Sequence, residues 1–265
     1  MTETTARQRK KILVVTAHPE SRSLTSALTA FAVGHLRAAG HEVRVSDLYA
    51  MKWKAVVDAD DFPEHPADGR LDVMGASERA TLAGRLTPDV AAEQEKIRWS
   101  DAVVLQFPLW WFSMPAILKG WIDRVFSRGF AYGPAVPPPY GGGAALAGRR
   151  ALLSVTVGAR EGAFSDRGVH GRLADVLHPI QHGVFWFTGM APLEPFAVYG
   201  ASDLPQDAFA AACEAYGRRL DALFTDEPVP FRALADGDYD RDMRLLPGVE
   251  APGTSGLDLH LRPAG

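Results

Sequence analysis

Polar and apolar positions sort the chain into short elements whose period alternates. Lys11 to Ala17 (KILVVTA) is β-branched and apolar on both faces, as in a strand buried within a parallel sheet. Beyond it Leu24, Leu28, Phe31, Ala32 and Leu36 recur at helical spacing, and Gly40 is a stop. Residues about Val43 and Val45 then alternate with period two, which completes a strand–helix–strand unit. The alternation continues with a helix from Pro88 capped by Thr87, a third strand over Asp101–Phe107 and a helix opened by Pro115. A fourth strand over Arg149–Val157, a mostly helical stretch over 170–190 and a fifth strand near Phe196–Tyr199 follow. The last helix, over 205–224, puts Phe209, Cys213, Tyr216, Leu220 and Leu223 on one face. Two stretches, 50–87 and 133–148, are rich in proline and glycine and read as long irregular insertions.

Five strands alternating with helices predict a doubly wound parallel sheet with right-handed crossovers. The 265 residues leave room for nearly two domains, yet no second periodic block occurs. The chain therefore divides into an N-terminal tail (1–10), one α/β domain (11–227) and an irregular C-terminal extension (228–265) expected to pack on a dimer partner. A net charge of -4 argues against a general nucleic-acid binder. No apolar run approaches the ~18 residues of a membrane span, and the N-terminus lacks the apolar core of a signal peptide. Cys213, the only cysteine, rules out an internal disulfide and reads as a small core residue. Together these features predict a cytoplasmic protein with no integral membrane segment.

In such a sheet a ligand lies beyond the carboxyl ends of the strands, which selects the loops 17–25, 107–115 and 157–170. In the first, Ser21, Ser23, Thr25 and Ser26 precede a helix and are either phosphate ligands or ordinary caps, with His18 as a further donor. In the second, Trp110, Trp111 and Phe112 either stack on a planar aromatic cofactor or are plain core or interface aromatics. In the third, Gly158 and Ala159 let the backbone approach a ring, and His170 is the nearby side chain that titrates close to neutrality. Neither the GxGxxG dinucleotide fingerprint nor HExxH is present, and His178 and His182, four apart, are a weak metal hint.

The block AEQEKIRWSDAVVLQFPLWWFSMPAILKGWIDRVFSRGFAYG resembles the signature region of the quinone reductase (DT-diaphorase) family of flavodoxin-like flavoproteins. AHPESRSL, VSDLYAMKW, LTPDVAAEQ, VHG and HPIQHG–F–TGM–PLEP match as well, so the resemblance runs from about Lys11 to Pro230. It implies a flavodoxin-like five-stranded sheet of order 2-1-3-4-5, a tightly held FAD (FMN less so) and a homodimer. It also implies two-electron, ping-pong reduction of quinones by NADH or NADPH through flavin N5. Carried over, His18, Ser23, Leu24 and Thr25 fall on the flavin phosphates and ribityl chain. Pro108, Leu109, Trp110, Trp111 and Phe112 fall on the wall of the isoalloxazine, and Thr156, Val157, Gly158 and Ala159 on its pyrimidine edge. His170 falls on the catalytic histidine, while Tyr132, Phe187 and Trp111 line the substrate pocket, the first two across the dimer.

Departures from the family pattern are specific. Phe164 stands where the family has a flavin-contacting tyrosine that works with the histidine, so His170 is expected to act alone or through a water. A second pocket tyrosine is replaced by Pro134, and the TTGG-type loop reads TVGA. Of a His/His/Cys metal set found in some members only His182 remains, with Trp186 and Phe231 at the other places, so no metal is expected. Two alternatives share this resemblance. One is a reductase dedicated to a secondary metabolite, azo or nitroaromatic substrate; the other is a flavin-binding regulatory subunit of a potassium-efflux system.

Overall fold

The computed structural model describes residues 9–263, apart from 67, 136, 137, 139 and 142. Six strands, β1 (Lys11–Thr16), β2 (Glu42–Asp47), β3 (Ala102–Pro108), β4 (Arg150–Val157), β5 (Ala191–Pro192) and β6 (Phe196–Tyr199), form one parallel sheet. The order is β2-β1-β3-β4, with β5 and β6 both paired to β4. They occupy one fifth position in two pieces: Arg150 faces Ala191, and Ser154 faces Phe196. The interruption falls at Leu193–Pro195, where Pro195 has no amide to give and side chains collect two of the carbonyls. Gln181 Nε2 donates to Leu193 O at 2.8 Å, and Arg219 Nη2 to Glu194 O at 2.6 Å. The flavodoxin-like order read from the sequence is thus the observed one.

Period-two alternation splits the strands between two cores. On one face Leu13, Val15, Val103, Leu105, Leu153 and Val155 meet α3 (Pro88–Trp99), α4 (Ala116–Val125) and α5 (Leu173–Ile180). On the other Ile12, Val14, Val104 and Leu152 meet α1 (Leu24–Ala38) and α6 (Gln206–Asp221) through Leu28, Leu36, Tyr216 and Leu220. Cys213 packs at the margin of this second core, and burial raises its pKa, as suits a small apolar residue. One carboxylate is fully buried: Glu93 on α3 receives Ser46 Oγ at 2.7 Å, Trp121 Nε1 at 2.8 Å and Lys96 Nζ at 2.5 Å. It joins β2, α3 and α4.

The stretch 50–87 is more regular than its composition predicts, since α2 (Val73–Ala83) lies within it. Asp72 accepts from Gly75 N at its start, and Gly84 takes φ +66° at its end. The rest of the stretch is held by Arg124 of α4, whose side chain is 2% exposed. Its guanidinium donates to Asp61 Oδ1 at 2.7 Å, Asp89 Oδ2 at 2.7 Å and Lys54 O at 3.0 Å, and lies 4.6 Å from the Trp53 ring. Gly120 permits the approach, because a Cβ there would sit 2.0 Å from Ala55 O. Thr87 precedes α3 as expected but makes no capping hydrogen bond; Pro88 alone marks the start.

The C-terminal extension is organised within one chain about a second buried arginine. Arg232 donates to Leu259 O at 3.1 Å, Val249 O at 2.9 Å and Asp238 Oδ2 at 2.6 Å. Arg172 at the start of α5 ties the extension down through Asp258, at 2.8 and 2.9 Å. Beneath it α5 runs on as a π-helical turn, Gln181–Trp186. Here His178 stacks on His182 at 4.9 Å and His182 on Trp186 at 4.1 Å, with the Phe231 ring edge-on to both histidines. Burial, with His178 and His260 close by, pushes His182 down to about 4. Among the described residues no group of three His, Cys, Asp or Glu side chains is placed to hold a metal ion.

Two outcomes follow. Glu93→Ala leaves Lys96 and the Trp121 indole without their partner, and should cost about 3–5 kcal/mol in urea unfolding; a loss below about 1 kcal/mol would show the network to be dispensable. The unfolded chain protonates His182 near its ordinary 6.5, the folded chain only near 4. Its contribution to stability is therefore complete above 6.5 and declines as pH falls toward 4. His182→Phe should flatten that part of the stability–pH curve.

Candidate functional site

The carboxyl ends of β1, β3, β4 and β6 lie on one edge: Thr16 faces Gln106, Pro108 faces Thr156 and Val157 faces Tyr199. Three of the loops that leave this edge, those after β1, β3 and β4, concern the site. After β1, Ser23 caps α1 by accepting from Ser26 N at 3.1 Å, and Ser26 Oγ donates to Glu20 O at 2.9 Å. Ser23 is thus an N-cap in the structure. The amides of Leu24 and Thr25, in the first turn, have no acceptor among the described residues. Thr25 Oγ1 and Thr156 Oγ1 bond each other at 2.8 Å, with both residues buried, so these hydroxyls join α1 to β4 and do not face outward. Glu20 N donates to His18 Nδ1 at 3.0 Å. The same nitrogen lies 3.2 Å from Glu20 O, so Nδ1 is turned toward the loop backbone.

After β3 the chain makes a tight reversal. Trp110 N donates to Ser113 O and Ser113 N to Trp110 O, each at 3.0 Å, and Leu109 N is tied to Thr156 O at 2.8 Å. The two central residues, Trp111 and Phe112, have φ of +50° and +60°. Such a turn ordinarily takes Asn-Gly; with bulky side chains it stores on the order of 1–3 kcal/mol per residue. Phe112 packs against neighbouring rings, but Trp111, 95% exposed, buries almost nothing to offset its share. Strain of this kind concentrates where a ligand is held.

After β4, Gly158 is open, with room for a Cβ except for Ser202 Oγ at 3.7 Å, and Ala159 follows half-buried. The turn Glu161–Phe164 then brings Phe164 and His170 back to the reversal. His170 meets the Phe112 ring edge-on at 4.9 Å and the Phe164 ring at 5.0 Å. The backbone of His170 is fixed by its N–H to Ala163 O at 3.0 Å, while its exposed ring has no hydrogen-bond partner among the described residues. Phe164 is buried and meets Tyr199 at 6.2 Å on its far side. Tyr199 is absent from the sequence-derived set; its place as the last residue of a strand on the ligand edge is the signal that finds it.

Tyr132 and Phe187 lie elsewhere in the chain. Their rings meet at 5.6 Å beside a cleft shared with Ile122, Phe126 and Val184. Among the described residues no ring contact joins this pair to Phe112 or His170. Two aromatic surfaces thus exist in one chain, one at the strand ends and one beside α4.

The chain matches the family described as having a flavodoxin-like fold over residues 10–221. A ribosyldihydronicotinamide dehydrogenase-like protein of Penicillium crustosum is 44% identical over 261 residues, 95% of this chain and 96% of that one. NAD(P)H dehydrogenase (quinone) 1 of Rattus norvegicus is 39% identical over 223 residues, 84% of this chain and 80% of its own length. A crystal structure from Klebsiella pneumoniae, of a candidate quinone reductase, superposes with a TM-score of 0.88 at 45% identity, covering 95% of this chain and 99% of the other. The chain belongs to the DT-diaphorase-like quinone reductase family.

Membership makes the enzyme an oxidoreductase and gives the departures structural meaning. The tyrosine expected at Phe164 is replaced by a buried ring without a donor, wedged between His170 and Tyr199. Pro134 is exposed at the entrance to the proline-rich loop. Trp186 and Phe231 make the aromatic stack about His182. No helix among the described residues is long and apolar enough to cross a membrane.

Strain at the reversal has a measurable consequence. Trp111→Gly removes a positive-φ tryptophan that buries nothing, so protein freed of small-molecule ligands should gain about 0.5–1 kcal/mol in thermal or urea unfolding. A destabilised variant would show that the turn is not strained.

Proposed function

We propose that this enzyme is an FAD-dependent NAD(P)H:quinone oxidoreductase that works as a homodimer by a ping-pong mechanism. The observation that carries the reading is the strained, solvent-facing Trp110–Ser113 reversal with His170 held edge-on beside it. The residues fit a flavin. The Leu24 and Thr25 amides, at the positive end of α1, offer donors to phosphate, and the His18 ring in the same loop is a further candidate partner. Leu109 to Phe112 offer apolar faces to a flat ring, and the Trp111 and Phe112 amides at the head of the turn are left to its polar atoms. Gly158 and Ala159 offer an open backbone to its polar edge. When bound, a flavin supplies a ring that accepts hydride from a dihydronicotinamide and passes it to a quinone in a second half-reaction. FAD is preferred on the resemblance to the DT-diaphorase family and on the long C-terminal extension. General stress protein 14 of Treponema denticola, solved with FMN, is 27% identical with a TM-score of 0.57 and covers 80% of this chain.

Each residue has a task. His170, whose ring has no hydrogen-bond partner among the described residues, would donate a hydrogen bond to the polar edge of a bound flavin and pass a proton to the quinone as it is reduced. Phe112 and Phe164 hold the imidazole in place. Trp111 offers its exposed face to the substrate. Tyr132 and Phe187 belong to the pocket of the partner protomer, which explains their separation from His170 within one chain. A net reaction of quinone, NAD(P)H and one proton to hydroquinone and NAD(P)+ balances atoms and charge.

A regulatory role is less well supported. The potassium-efflux ancillary protein KefF of an Enterobacter strain is 39% identical over 132 residues, half of this chain. Anaerobic half-reactions separate the readings: flavin-loaded protein should bleach with NADH or NADPH and recolour with a quinone. Protein that binds flavin but is not bleached would overturn the enzymatic reading. Phe164→Tyr should speed the bleaching step by restoring a phenol beside His170; an unchanged rate would show the phenol to be irrelevant.

A further inference from the structure

The pocket loses a tyrosine at Pro134, yet the proline-rich loop returns one six residues later. Tyr140 lies face to face with Phe187, with ring centroids 5.1 Å apart and planes 6° from parallel. Tyr132 meets Phe187 at a tilt of 58° and 5.6 Å. The Phe187 ring is therefore set by two neighbours of different geometry.

The stack is anchored by backbone. Gly141 N donates to Phe187 O at 2.7 Å, and Leu146 N to Thr188 O at 2.9 Å. Gly141 takes φ +81°, and a Cβ there would lie 3.4 Å from the Trp186 ring and 3.5 Å from Leu234 Cδ1. Glycine suits this left-handed conformation, and the two backbone hydrogen bonds fix the position of Tyr140 beside Phe187. The Tyr140 hydroxyl donates to Met243 Sδ at 3.5 Å, which brings the C-terminal extension against the same ring. Met243 itself is held in a tight turn by Met243 N to Asp240 O at 3.0 Å.

We propose that Tyr140 is a positioning residue that fixes the plane of Phe187 and so biases the pocket toward flat, fused-ring quinones over single-ring ones. This rests on the reading that Tyr132 and Phe187 face the substrate. A ring free to rotate presents its edge as often as its face, whereas a ring locked by a parallel neighbour presents one extended plane. A bicyclic quinone gains more contact from that plane than a monocyclic one.

Steady-state kinetics of the flavin-loaded enzyme with 2-methyl-1,4-naphthoquinone and 1,4-benzoquinone test this in wild type, Tyr140→Ala and Tyr140→Phe. Tyr140→Ala should raise KM for the naphthoquinone about three- to tenfold, the worth of one aromatic pair, with kcat unchanged and a smaller effect on the benzoquinone. Tyr140→Phe keeps the stack and should remain within about twofold of wild type. If Tyr140→Ala does not fold, Tyr140→Leu replaces it with the same expectation. An unchanged KM, an equal loss for both quinones, a fall in kcat alone, or failure of Tyr140→Phe to rescue would each overturn the proposal. Wild-type enzyme that reduces neither quinone overturns the function proposed above, and this proposal with it.

Discussion

The candidate site exists because the chain winds in two directions from β1. From β1 it crosses to β2 on one side, then returns past β1 to lay down β3 on the other. The loops that follow β1 and β3 must therefore part, and the gap between them opens on the ends of buried strands. Every group assigned to the site depends on that divergence: the first turn of α1, the reversal after Pro108 and the return of His170. The hydroxyl pair of Thr25 and Thr156 keeps the floor of the gap closed, because it joins α1 to β4 beneath the loops.

On that floor the protein combines rigid and costly geometry. Reciprocal hydrogen bonds hold Trp111 and Phe112 in a conformation that favours glycine. His170 depends on Phe112 for one wall and on Phe164 for another, so the strained turn and the imidazole form a single unit. Phe164 packs between His170 and Tyr199 and gives the imidazole no hydrogen-bond partner.

The sheet was legible because buried parallel strands write a dense apolar code. Ile12 to Val15 and Val103 to Leu105 admit few other readings. The last sheet position was harder, since its two pieces are separated by Pro195 and completed by Gln181 and Arg219 from distant elements. α2 was hidden by flanking glycines, although Asp72 and Gly84 are ordinary caps. At the site, resemblance named residues on the loops that follow β1, β3 and β4, but the direction of each side chain lay beyond the sequence. Thr25 and Thr156 turn inward to each other, and Tyr140 joins Phe187 through a loop whose composition announces only irregularity.

The Arg124 hub has a consequence for the order of folding. Lys54, Asp61 and Asp89, which it gathers, all precede it in the chain, and Arg124 itself lies on a helix that docks only when β3 has joined the sheet. During synthesis the stretch 50–87 therefore emerges before its anchor and waits unfixed until α4 arrives. The insertion thus takes its final form only once a helix made after it is in place.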